Sequence, residues 1–169
     1  MRKTFCLSCL FLVLFITGCS NNTEDNSKNM QDLISNQNKI TMVEIIQGGI
    51  KQKGLTVDDD EIIQELLGKI EGIPLTRLKE KEDNEFMYAR IQDDSLYYVN
   101  FHIEHDESRF FPTLVGNIFT WSDGYIYVVD IDSMAGDERT IAYLSAPEYK
   151  DIYAWLSEQW KWALGNETY

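Results

Sequence analysis

The hydrophobic and polar positions fall into three successive patterns. Phe5 to Ile16 is an almost unbroken apolar run of 12 residues, behind Arg2 and Lys3 and ahead of Thr17 and Gly18. A helix that crosses a bilayer needs about 20 apolar residues, so a run this short fits the hydrophobic region of a secretory leader better. Ser20 to Asn38 then turns polar, rich in Asn, Ser, Asp and Gln, with Leu33 and Ile34 among its few aliphatics. That composition predicts a mostly disordered stalk, broken at most by a weak helical turn at Met30–Ile34. As coil it would span roughly 25 Å, at about 5–6 Å times the square root of its length.

From Ile40 the pattern is that of a folded domain. Ile40–Ile46 is dense in β-branched residues and ends at Gly48-Gly49, which predicts a first strand. In Thr56–Glu71 the residues Ile62, Ile63, Leu66, Leu67 and Ile70 recur at helical spacing. Asp58–Glu61 opens that helix, and these acids read as capping and dipole residues, not as a cation site. Glu85–Gln92 alternates, and with the turn Asp93-Asp94-Ser95 it predicts a hairpin onto Leu96–Ile103. On that second strand Tyr97, Val99, Phe101 and Ile103 share one face, and Leu96, Tyr98, Asn100 and His102 the other. A second hairpin runs through Thr113–Trp121, Ser122-Asp123-Gly124 and Tyr125–Ile131, and Glu138–Leu144 reads as a last strand. Ser145-Ala146-Pro147-Glu148 reads as a capping box before a helix with Tyr149, Ile152, Tyr153, Leu156 and Trp160 on one stripe, Trp155 and Trp162 off it. The expected fold is α+β: a single domain, a twisted, mainly antiparallel sheet with two packed helices at about 58–71 and 146–163.

Composition narrows the partners. Hydrophobic residues are 44% of the chain, enough for a core, and the formal charge is −13. A surface this acidic repels phosphate backbones, which argues against nucleic acid, and attracts cations or basic peptides. The cysteines are Cys6, Cys9 and Cys19, so the domain from residue 40 has no thiol for a disulfide, a zinc-thiolate site or a nucleophile.

Ile16-Thr17-Gly18-Cys19 resembles the lipobox of bacterial lipoprotein precursors, an aliphatic residue and two small ones before the modified cysteine. The resemblance implies signal-peptidase recognition at Ile16, Thr17 and Gly18, diacylglycerol transfer to the Cys19 sulfur, and cleavage before Cys19. Two acyl chains hold a protein stably on a bilayer where one does not. The expected organisation is then a signal peptide at 1–18, a lipidated cysteine and flexible tether at 19–39, and a binding domain at 40–169. Its site is the extracytoplasmic face of the cell membrane, held to the bilayer through Cys19. Losing Arg2 and Lys3 with the leader takes the charge from −13 to −15.

Catalytic chemistry is hard to find in the residues. There is no Gly-x-Ser-x-Gly elbow, phosphate-cradling glycine loop or His-Glu-x-x-His. The two histidines, His102 and His105, sit in His102-Ile103-Glu104-His105-Asp106-Glu107, where strand geometry points them to opposite faces. Asp130–Glu138 has the look of a calcium loop but places Met134 and Ala135 where Asp or Asn and then Gly are required, so it reads as a solvated connection. No metal or cofactor is expected. What stands out is aromatic content: nine Tyr, eight Phe and four Trp. Tyr98, Trp121 and Tyr127, with Asp123, Asp130 and Asp132 nearby, form the candidate surface for a cationic amphipathic ligand.

In size, leader, polar stalk and charge the chain is similar to the small immunity lipoproteins of lantibiotic producers, especially the subtilin type. That resemblance implies a non-enzymatic binding module that sequesters a cationic, membrane-active peptide outside the cell. The alternative is an envelope lipoprotein of another kind, an assembly factor or a small hydrolase.

Overall fold

The computed structural model describes residues 26–48, 53–104, 112–134 and 140–166. In chain order they form strand β1 (Ser27–Asn29), two 3-10 turns (Met30–Asp32 and Gln37–Lys39), strands β2 (Ile40–Gln47) and β3 (Lys53–Val57) and helix α1 (Asp60–Ile70). Then come β4 (Pro74–Arg77), α2 (Glu80–Arg90), β5 (Tyr97–Ile103), β6 (Thr113–Thr120) and β7 (Ile126–Val129). A short α3 (Ile131–Met134), β8 (Ala142–Leu144) and α4 (Lys150–Asn166) complete the series. The strands make one sheet in the order β1-β4-β8-β7-β6-β5-β2-β3, antiparallel at every pairing. The α+β class and the antiparallel sheet are as the sequence predicts.

One sheet face carries the main core. Alternate residues of β2, β5 and β7 (Val43 and Ile45; Tyr97, Val99 and Phe101; Ile126 and Val128) are almost wholly buried, as strand periodicity requires. Against them pack Ile63, Leu66, Leu67 and Ile70 of α1 and Ile152, Leu156 and Trp160 of α4. The α1 start is capped as expected: the Asp59 carboxylate accepts from the Glu61 and Ile62 amides at 2.9 and 3.2 Å. Trp155 is off the α4 stripe yet also buried, because its indole N–H reaches Glu65 of α1 at 2.7 Å.

Several expectations need correction. The segment at 26–39 is part of the domain and not of a tether at 19–39. β1 pairs with β4, and Met30, Leu33 and Ile34 are buried in the main core. Ile34 fits so closely over β6 that a Cβ on Gly116 would lie 2.8 Å from its Cγ1. The three apolar residues that looked incidental in a polar run are spaced to face one way, and the domain begins by Asn26 rather than at residue 40.

Glu85–Gln92 is not a strand; it lies across α2 and its C-terminal end. Acids fill the first turn, Arg90 closes the last, and the Lys79 amide donates to Glu82 at 3.2 Å. β5 therefore pairs with β2 and β6. Besides the two helices expected, the fold holds α2 and the short α3, whose first residue, Ile131, ends the strand expected at Tyr125–Ile131.

The last helix starts at Lys150, because Ser145 does not cap it. The Ser145 hydroxyl accepts from the Ile126 amide at 2.9 Å and donates to the Ala146 carbonyl at 2.7 Å, tying β8 to β7. The Asp123-Gly124 hairpin is as predicted. Gly124 has φ +90°, and a Cβ there would meet the Tyr149 and Lys150 backbone at 3.0 Å, so only glycine lets the turn dock on the start of α4.

Candidate functional site

α2 lies on the sheet face opposite the main core and buries a second cluster there: Leu96, Trp121, Tyr127 and Ala142, flanked by Phe86, Met87, Phe119 and Tyr125. Phe86 is its centre. Its ring meets Trp121 edge-on at 5.4 Å and Tyr125 at 5.5 Å, and stacks on Tyr127 at 6.1 Å. One turn later Arg90 lays its guanidinium among the same rings, 4.7 Å from Phe86, 4.9 Å from Tyr125 and 5.7 Å from Trp121. Its Nη1 pairs with Asp123 Oδ2 at 2.6 Å. Two further polar atoms of the cluster are used: the Trp121 indole donates to the Arg90 carbonyl at 3.2 Å, and the Tyr127 hydroxyl to Asp83 at 2.7 Å. Burial, reinforced by that bond to Asp83, pushes the Tyr127 hydroxyl far above the ordinary tyrosine range.

Trp121 and Asp123 of the predicted surface thus do meet around a cation, but the cation is the chain's own Arg90, and Tyr127 lies beside them, stacked on Phe86 and bonded to Asp83. Trp121 is 1% exposed and Tyr127 5%, so neither is open to a ligand. The other three lie elsewhere. Asp130 accepts from Lys28 at 3.1 Å, and Lys28 also sits over the Tyr143 ring at 5.3 Å. Burial alone would lower the Lys28 ammonium's pKa, but the hydrogen bond and charge of Asp130 outweigh it and raise the pKa. Asp132 is exposed on α3. Tyr98 stacks on Phe119 at 4.3 Å, at the border of the aromatic cluster.

Beyond Tyr98 the same face becomes polar. Asn100 stands opposite Glu44 of β2 and Asn117 of β6. Its amide donates to Glu44 at 3.0 Å, and Asn117 accepts from the Val129 amide at 3.2 Å where β6 and β7 part. Asn100 Oδ1 and both His102 nitrogens are buried without a hydrogen-bond partner. His102 Nε2 is 4.0 Å from Glu44, but burial lowers the histidine's pKa more than that carboxylate restores it, which favours the neutral imidazole.

Two concavities flank α2. An apolar hollow of about 580 Å³ lies on its outward side, lined by Asn84, Glu85, Met87, Tyr88 and Ile91. A groove of about 860 Å³ lies at its N-terminal end, where Arg77 and Lys79 face Glu80, Glu82 and Asp83 and both signs of charge mix. The sequence reading missed α2 and hence this surface. The signals were there: strong helix formers, acids in the first turn and arginine in the last.

Among the described residues, no group of three or more His, Cys, Asp or Glu is placed to hold a metal ion, and no helix is long and apolar enough to cross a membrane. Cys19, the Ile16-Thr17-Gly18 approach to it, His105 and the end of the Asp130–Glu138 loop lie outside the described residues. Comparison of the chain with family models, with curated proteins and with solved structures finds no match.

Proposed function

We propose that this chain is a lipid-anchored, extracytoplasmic binding module that captures a cationic, membrane-active peptide of the lantibiotic kind and performs no chemistry on it. The observation that carries this reading is the charge, −13 over 169 residues, which concentrates cations and repels nucleic acid. The resemblance of Ile16-Thr17-Gly18-Cys19 to a lipobox supplies the anchor. Seven residue steps separate Cys19 from Asn26, the first described residue. At 3.3–3.6 Å each, the folded domain begins within about 25 Å of the lipidated sulfur's backbone. An acidic domain held that close to the bilayer meets a cationic peptide in the layer where the peptide acts, at high effective concentration.

The test is protection of cells. A strain without the gene is exposed to cationic lanthionine peptides at low and raised salt, with the wild-type chain or Cys19→Ala restored. The expected result is resistance from the wild type, weakened by salt and lost with Cys19→Ala. Unchanged susceptibility to every such peptide contradicts the reading.

A further inference from the structure

Resting on that reading, we propose that the outward face of α2 is where the cationic amphipathic peptide docks, its apolar side on Met87, Tyr88 and Ile91. A helix that served only to cover the aromatic cluster would need apolar residues on one side. α2 meets the cluster through Phe86 and Met87, yet Tyr88 is 90% exposed and Ile91, three residues on, 40% exposed. Neither position is required by the core, and together with Met87 they floor the hollow of about 580 Å³.

Charge decides the occupant. Residues 79–94 hold six acids, Glu80, Glu82, Asp83, Glu85, Asp93 and Asp94, against three bases. One of those bases, Arg90, is turned inward to Asp123, and another, Lys81, pairs with Glu85 at 3.8 Å on the open surface, a weak contact that a ligand's ammonium can replace. Asp83 is likewise turned inward, to Tyr127, and Glu80 and Glu82 line the N-terminal groove, so Glu85 is the acid beside the apolar floor, on a chain of net charge −13. That pattern complements a peptide with basic and apolar sides, and it repels a second copy of this chain or an anionic bilayer. The aromatic cluster beneath fixes α2 in place, so the surface is preorganised and binding need not order it.

The probe is a fluorescent synthetic peptide of lysine and leucine with an amphipathic pattern. Its anisotropy is followed against the full chain in nonionic detergent, with detergent alone as baseline. The wild type is expected to bind, more weakly at raised salt. Tyr88→Ser with Ile91→Ser is expected to weaken binding about tenfold or more, while Trp162→Ser, at another exposed aromatic on α4, leaves it unchanged. Both substituted α2 residues are exposed, and an unchanged near-ultraviolet circular dichroism spectrum verifies the fold. Equal binding by wild type and double variant overturns the docking surface and leaves peptide capture standing. No salt-sensitive binding by the wild type overturns capture as well. If the double variant alters only self-association or vesicle attachment, the face belongs to a second copy or a membrane and the proposal fails.

Discussion

One face of the sheet is built in two contrasting ways. Toward β7 and β8, α2 covers it, and Phe86, Trp121, Tyr125, Tyr127 and Arg90 interlock with Asp83 and Asp123 bonded to the tyrosine hydroxyl and the guanidinium. Toward β2 and β5 it carries Glu44, Asn100 and His102, and three of their buried polar atoms lack hydrogen-bond partners. Burying a polar group is tolerable where every donor and acceptor is answered and costly where one is not. The aromatic half is therefore a second core, although its residues look like a ligand surface in the sequence. The polar half adds little to stability for all its burial.

Substitutions sharpen that contrast. Trp121→Ala removes the most buried ring of the cluster and its indole bond, and is expected to cost about 3–5 kcal/mol in chemical denaturation. A loss below about 1 kcal/mol would return Trp121 to the role of a surface residue. Arg90→Ala loses three ring contacts and the Asp123 pair, with an expected cost of about 2 kcal/mol. Arg90→Lys should recover only part of it, because a point charge cannot lie flat among rings.

Tyr127→Phe removes the bond to Asp83 and is expected to cost about 1 kcal/mol. Its pH signature is alkaline. The folded state holds this hydroxyl protonated above the ordinary value of 10.0, so its contribution is complete below pH 10 and declines as pH rises past it. The variant should lose that decline, and the late, alkaline part of a spectrophotometric tyrosine titration should be smaller by one tyrosine in the variant than in the wild type.

The smallest effect belongs to the polar half. His102→Leu is expected to change stability by less than about 1 kcal/mol, since neither ring nitrogen makes a hydrogen bond. The folded state favours the neutral ring below its ordinary value of 6.5. Wild-type stability should accordingly hold above pH 6.5 and fall as pH drops below it, and the variant should flatten that slope. A loss of several kcal/mol at pH 7 would mean that His102 is better satisfied than its surroundings show.

Legibility in the sequence followed how local each signal was. The strand at Ile40, the α1 helix with its Asp59 cap and the Asp123-Gly124 hairpin carry their own periodicity and turn chemistry, and each forms where expected. β1 and the Met30–Ile34 turn do not. Their three apolar residues sit among Asn, Asp and Gln, and only the long-range fit over Gly116 and pairing with β4 reveals them as core. α2 was hidden by its own two-sidedness. With Phe86 and Met87 packed on the cluster and Tyr88 and Ile91 exposed, no single apolar stripe marks the helix. Of the candidate ligand residues, Trp121, Asp123 and Tyr127 fall in one region while Asp130 and Asp132 lie apart, and nothing local in the sequence shows that Arg90 packs among those rings.

The most direct measurement is nuclear magnetic resonance of the isotope-labelled chain titrated with the lysine–leucine peptide, following the Ile91 and Met87 methyls, the Tyr88 ring and the Trp121 indole N–H. The account predicts that the first three shift with peptide while the Trp121 indole, bonded to the Arg90 carbonyl beneath α2, stays in place. Early movement of the Trp121 indole or the Tyr98 ring, with Tyr88 and Ile91 unmoved, would contradict it and return the binding surface to the residues that the sequence first suggests.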